Sequence, residues 1–154
     1  MRSLLKTFLP ACCLLFVVSC AGRKFDSAWQ QANKDYLSGK TPAATGPWEG
    51  TWISAANGHK GKLRCIITPV AGKEEADLHL FRYWATWGGF FRGGFDSKFE
   101  IEKKGSQYHF QGRHNLGIMG SFRHKGVIKD NDFDARYSSS IGDHGSFNLR
   151  RPVQ

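Results

Sequence analysis

Cysteine is scarce in this sequence and concentrated at its N-terminus. Of four cysteines in 154 residues, Cys12, Cys13 and Cys20 fall within the first twenty positions, so Cys65 alone remains beyond them. A single cysteine excludes an intramolecular disulfide framework in that part of the chain. Because Cys65 lies between apolar residues in the middle of a predicted strand, we expect it to be a buried small hydrophobic residue.

Long hydrophobic runs are also missing, as is helical periodicity in the part of the chain after residue 40. The longest apolar run, residues 8–18, is shorter than the ~20 residues that a membrane-spanning helix needs. No convincing helical period follows residue 40, so no crossover helices are available to build a parallel sheet. A composition with 18 glycines, 12 phenylalanines and only two methionines instead favours antiparallel β-structure.

The sequence also lacks a recognisable catalytic motif. It has no serine in a nucleophile elbow and no pair of glutamates within a local catalytic motif, so we predict no catalytic residue and treat a hydrolase as a remote alternative. His59 and His144 lie in predicted turns beside Asn57 and Asp143, where a histidine is either a hydrogen-bonded structural residue or a metal ligand. Their spacing matches no metal-ligand pattern, and we predict no metal and no cofactor.

The N-terminus carries an export signal. Arg2 and Lys6 precede the apolar run 8–18, which overlaps the segment Val17-Val18-Ser19-Cys20. This order resembles the lipobox of bacterial lipoproteins. The resemblance implies that residues 1–19 are removed, that Cys20 is lipidated, and that the protein is anchored in the cell envelope. The resemblance also implies the outer membrane, because Ala21 follows the cysteine where an aspartate would indicate the inner membrane. The alternative to a lipobox is an ordinary signal peptide followed by an incidental cysteine.

The chain is strongly basic. Lysine and arginine number 22 against 13 acidic residues, a net charge of +9, and the part after the signal keeps 20 − 13 = +7. Such a charge favours contact with an anionic surface, including phospholipid head groups, lipopolysaccharide or nucleic acid. The basic residues are scattered along the sequence, however, which favours a soluble basic surface without a specific partner. We predict no nucleic-acid partner and keep an anionic envelope component as a possibility.

One helix is predicted ahead of the β-rich part. Phe25, Ala28, Trp29, Ala32 and Tyr36 recur at spacings of three and four and form one apolar stripe, which predicts a helix over 25–37. Residues 39–47 have the composition of a linker. We expect the helix to pack against the following domain; the alternative is an interfacial helix at the membrane. The domains are thus a signal (1–19), a lipidated N-terminus with helix and linker (20–47) and a β-domain (48–154).

Eight strands are predicted after residue 47. Alternation of apolar and polar residues, as in 133–138, indicates strands with one buried and one wet face, and short glycine- or asparagine-containing turns separate them. Eight sequential strands with short turns predict an all-β, antiparallel up-and-down barrel, because closure removes unpaired edges. The predicted strands are 48–54, 62–70, 77–86, 90–103, 106–115, 120–129, 132–138 and 145–151.

The first strand contains the motif Gly50-x-Trp52, which resembles the opening of calycin barrels, the group that includes lipocalins and avidin-like proteins. In lipocalins the tryptophan closes one barrel end and a basic residue near the chain's end lies across it. The resemblance therefore implies that Trp52 meets Arg150 or Arg151, and strand parity favours Arg151. The pattern from Asn57 to Cys65, with Asp143-His144-Gly145, also resembles a family of small exported bacterial proteins of unknown activity.

An aromatic and glycine-rich stretch over 81–95 supplies the candidate ligand site. Its aromatic side chains either fill the barrel or form a rim that grips a lipid tail or the face of a sugar. The candidate ligand-binding residues are Trp84, Trp87, Phe90, Phe91 and Phe95.

The function predicted from the sequence is binding, not catalysis. We expect a lipid-anchored envelope protein that binds a small apolar or amphiphilic ligand. The alternative is an interaction, assembly or inhibitor module that uses its basic surface. A hollow interior would favour the ligand, and a filled interior would favour the module.

Overall fold

The protein is an all-β closed barrel of eight antiparallel strands preceded by one helix. The structure, a computed structural model, describes residues 5–70, 78–89, 91–117 and 120–153; for residues 5–20 and Phe91 it describes the backbone. The helix is α1 (Leu5–Leu37). The strands are β1 (Gly46–Ser54), β2 (Lys60–Pro69), β3 (Leu78–Trp87), β4 (Phe91–Lys104), β5 (Gln107–Asn115), β6 (Ser121–Lys129), β7 (Asp132–Ser139) and β8 (His144–Arg150).

The predicted strands and their order are confirmed, with each boundary within two residues of the predicted one. Every strand pairs with its sequence neighbour, and β1 pairs with β8 to close the barrel. At that seam Gly50 lies opposite Leu149, and a Cβ on Gly50 would lie 2.2 Å from the carbonyl oxygen of Asn148. Glycine therefore permits the close approach of the two strands that close the barrel.

Alternate residues of all eight strands face the interior of the barrel. Phe81, Phe99, Phe110 and Phe133 are almost fully buried and pack ring to ring, with centroids 4.8–6.4 Å apart. Cys65 is buried and unpaired, as expected. This aromatic layer fills the half of the barrel that contains the start of β1 and the end of β8.

The helix packs on the outside of the barrel. Phe25 and Trp29 are buried against Ile66 of β2 and Trp84 of β3, which confirms that the apolar stripe faces the domain. The helix ends at Leu37, as predicted, and Gly39 follows with φ of 72°. Its predicted start at Phe25 was wrong, because the helix continues beyond the amphipathic stripe, through the apolar run 8–18, and begins at Leu5. Among the described residues, no helix is long and apolar enough to cross a bilayer.

Candidate functional site

One end of the barrel, which we term the closed end, is sealed by Trp48 and Arg151. The Arg151 guanidinium carbon lies 3.8 Å from the centre of the Trp48 ring, and Trp48 is fully buried. The guanidinium donates hydrogen bonds to the carbonyls of Ala43 (2.6 Å), Thr45 (2.7 Å) and Pro47 (3.1 Å). Burial lowers the pKa of Arg151 to about 10, so it remains a cation at neutral pH.

The predicted contact between Trp52 and the terminal arginines was wrong. The register places Glu49 opposite Arg150 and Trp52 opposite Phe147. Because the two strands are antiparallel, Arg151, which follows Arg150, lies beside Trp48, which precedes Glu49. Trp52 lies four residues further along β1, about 13 Å away at 3.3 Å per residue. Arg150 points outward and pairs with Asp132 at 3.0 Å.

The tryptophan that the arginine covers belongs to a second Gly-x-Trp sequence, Gly46-Pro47-Trp48, four residues before the motif used in the prediction. A Cβ on Gly46 would lie 3.3 Å from the Arg151 guanidinium and 2.5 Å from the Thr41 side chain, so glycine makes room for the packing. Trp48 and Trp52 both face inward, and parity alone could not choose between them. The earlier copy of the motif was the signal that sequence reasoning missed.

The opposite end, which we term the rim, is formed by the turns that follow β1, β3, β5 and β7. Trp52 lies here: its indole N–H donates to the carbonyl of Thr86 (3.3 Å), and its ring meets Trp87 edge to face at 6.3 Å. Trp87 is 39% exposed. The rim thus presents aromatic surface to solvent, in contrast to the closed end.

Below the rim, three rings form a parallel stack across β4, β5 and β6. His114 lies between Phe95 (5.2 Å, 14°) and Phe122 (5.9 Å, 16°). Phe95 also stacks on Tyr83 at 4.8 Å. Phe95, His114 and Phe122 are each partly exposed, so the stack leads from the rim toward the buried aromatic layer.

His124 occupies the base of this stack. It is 3% exposed and meets His114 edge to face at 4.8 Å. Burial, and secondarily the neighbouring His114, lowers the pKa of His124 to about 3, and burial also lowers the pKa of His114. Both rings are therefore neutral at pH 7, and each offers one N–H donor and one nitrogen acceptor.

Several polar atoms in this part of the interior are buried without a hydrogen-bond partner in the protein. They are both ring nitrogens of His114, Nδ1 of His124 and Oγ of Ser97, a residue of β4. The nearby Tyr83 hydroxyl lies beside the Cys65 thiol, and burial raises the pKa of both groups. The Cys65 thiol is therefore protonated and unreactive at neutral pH. Buried polar groups are nearly always paired, so this cluster in an aromatic interior is the feature that most requires a functional explanation.

The structure separates the five aromatic candidates. Phe95 faces the interior and Trp87 lies at the rim. Trp84 lies on the outer face, where it stacks on Phe25 of the helix at 5.5 Å, so its assignment to the ligand site is corrected. Strand alternation is the reason: Tyr83 faces inward, and the next residue must face outward. Of Phe91 the structure describes only the backbone, in β4, and Phe90 lies outside the described residues.

The histidines that matter in the structure are not those noted in the sequence. His59 is exposed in the turn before β2, and His144 is the exposed first residue of β8, with its ring Nδ1 3.2 Å from the carbonyl oxygen of Gly142. In the described part of the chain no three His, Cys, Asp or Glu residues are grouped to hold a metal. His114 and His124 share the inward parity of their strands, and that alternation could have identified them.

No protein-family model, curated protein or solved structure matches this chain. The site is therefore defined by its geometry alone.

Proposed function

We propose that this is a lipid-anchored cell-envelope protein that binds a small apolar or amphiphilic ligand in the rim half of its barrel. One observation carries the proposal: a stack of partly exposed aromatic rings leads from the rim to buried, unpartnered polar atoms on His114, His124 and Ser97. Ligand sites typically combine apolar walls with a few convergent polar groups.

The chemistry of the lining defines the class of ligand. Flat faces of Phe95 and Phe122 suit an acyl chain or another apolar body. The neutral histidines and the Ser97 hydroxyl offer both donors and acceptors but no charge. A ligand with an apolar body and one uncharged hydrogen-bonding group, such as an alcohol, an amide or a protonated acid, matches this lining best.

The test of ligand binding compares two histidines of β5 that face opposite sides of the barrel. His114→Phe keeps an aromatic ring in the stack but removes both unpartnered nitrogens, whereas His109→Phe alters the outer face. With a fluorescent long-chain fatty acid or fatty alcohol as probe, we expect His114→Phe to weaken binding about tenfold, as for one lost hydrogen bond. His109→Phe should bind as the unsubstituted protein does. Equal affinities for all three proteins, or no binding by any, would contradict the proposal.

The lipid anchor is tested separately. If Cys20 is acylated, Cys20→Ala should abolish incorporation of labelled palmitate and release the protein from the membrane or block its processing. Because an acyl chain contributes about 0.8 kcal/mol per buried CH₂, its loss removes the main source of membrane affinity. Absence of label from the unsubstituted protein, with unchanged membrane association of the variant, would refute the anchor.

A further inference from the structure

The rim carries several exposed apolar side chains. In the described part of the chain five large hydrophobic residues are substantially exposed: Ile53 (44%), Trp87 (39%) and Ile141 (67%) lie at this end, whereas Leu37 ends the helix and Val153 lies near the C-terminus at the closed end. Ile53 is at the end of β1, Trp87 at the end of β3, and Ile141 in the turn before β8. The three residues are therefore distributed around the rim. Apolar side chains exposed around one end of a barrel can insert at the boundary between lipid head groups and acyl chains.

The charge of the barrel is polarised in the same direction. We count charges in each described rim turn and in the three strand residues on either side of it. These segments contain five lysines and arginines and one carboxylate. That carboxylate, Asp143, accepts hydrogen bonds from Ser54 (2.6 Å) and Tyr137 (3.3 Å). The corresponding described segments of the closed end hold four basic and four acidic residues. Among these described segments, those of the rim therefore carry the larger excess of positive charge.

Strand pairing places two of the five rim cations, Arg113 and Arg123, close to two further basic residues just below the rim. Arg113 of β5 lies directly opposite Arg123 of β6, and Lys125 of β6 lies directly opposite Arg136 of β7. In the described structure none of the four forms an ion pair. Like charges in directly opposed positions destabilise a sheet, so folding alone does not account for the arrangement. A surface that supplies negative charge would relieve the repulsion.

The helix connects the rim to the preceding chain. Gly22 lies beside Trp84, its Cβ position 3.5 Å from that ring, in the rim half of β3. Tyr36, near the other end of the helix, lies against Arg151 at the closed end. The segment before Ala21, which contains Cys20, therefore joins the barrel on its rim side.

We propose that the rim is a membrane-docking surface for an anionic phospholipid bilayer. Ile53, Trp87 and Ile141 lie at the boundary between head groups and acyl chains, and Arg113 and Arg123 contact the lipid phosphates. This orientation turns the rim half of the interior toward the bilayer, so an amphiphile could pass between them without crossing water. The proposal rests on the membrane placement proposed above, but it does not require the barrel to bind a ligand.

The experiment measures the orientation of the full chain, isolated from membranes and reconstituted into vesicles. A nitroxide is attached to Ile141→Cys at the rim or to Val153→Cys at the closed end. The unsubstituted protein, carried through the same labelling, gives the background from its own cysteines. Immersion is read from protection against a water-soluble relaxation agent. In vesicles with phosphatidylglycerol we expect the Ile141→Cys label to be protected and the Val153→Cys label to remain in water.

The contribution of the basic residues is tested with two double variants that each remove two positive charges. Arg113→Gln with Arg123→Gln should lower the ratio of immersed to water-exposed label about thirtyfold, at about fivefold per cation near an anionic surface. These changes remove a repulsion, so the fold should persist. Lys98→Gln with Lys129→Gln removes the same charge outside the rim and should have no effect. The proposal would be overturned if both labels were equally exposed to water, or if the Ile141→Cys label were as deeply immersed in purely zwitterionic vesicles as in vesicles with phosphatidylglycerol. Neither result bears on fatty-acid binding in solution.

Discussion

Replacement of Arg151 by methionine tests how the closed end is held together. The variant keeps much of the aliphatic side chain but removes the guanidinium from Trp48 and from three backbone carbonyls. Each buried polar group left without a partner costs about 1–3 kcal/mol, and loss of the cation–π contact adds about 1–2 kcal/mol. Relief of the desolvation that lowers the Arg151 pKa offsets part of this loss. We expect a net destabilisation of about 3 kcal/mol.

The neighbouring residue supplies the control. Arg150 has an 81% exposed side chain and one surface ion pair with Asp132, so Arg150→Met should cost less than about 1 kcal/mol. Urea unfolding at pH 7, followed by tryptophan fluorescence and circular dichroism, compares the two variants. A double-mutant cycle with Trp48→Leu then isolates the contact between the guanidinium and the indole ring. If Arg151→Met and Arg150→Met agree within 1 kcal/mol, Arg151 does not hold the closed end.

Three further perturbations address the interior, the seam and the rim. Folded His124 takes up a proton only near pH 3, whereas the unfolded chain does so near pH 6.5, so stability should be complete above pH 6.5 and fall toward pH 3. In urea titrations the free energy of unfolding should fall by about 2 kcal/mol between pH 7 and pH 5. This pH dependence should be much weaker in His124→Phe than in the control His109→Phe, and equal pH dependence in the two variants would show that His124 is not its source. Gly50→Ala should cost about 1–3 kcal/mol because its Cβ meets backbone atoms of β8, whereas Gly93→Ala, with no atom within 4 Å, should not; equal unfolding midpoints would contradict the seam geometry. Trp87→Ala should leave the thermal midpoint nearly unchanged while weakening fatty-acid uptake, and a collapsed midpoint would show that the residue is structural.

The local pattern of the sequence determined the architecture. Alternation with a period of two is a property of each strand by itself, and turn residues such as Gly105 and Asn131 mark where strands end, so eight strands and their inward faces could be predicted. The barrel followed because sequential strands with short turns pair with their neighbours. The apolar stripe of Phe25 and Trp29 likewise predicted a helix packed on the domain.

Tertiary structure alone decided what depends on register and distance. Trp48 and Trp52 have the same parity, and only the pairing of Glu49 with Arg150 places Arg151 on the first tryptophan. The polar cluster at His114 and His124 arises because adjacent strands bring together residues that look unrelated in sequence.

The distribution of charge shows the same limit. Basic residues that are scattered along the chain become opposed pairs, Arg113 with Arg123 and Lys125 with Arg136, once β5, β6 and β7 align. Composition determined how much positive charge the protein has. Its location depends on contacts between residues distant in sequence, and no local pattern encodes these.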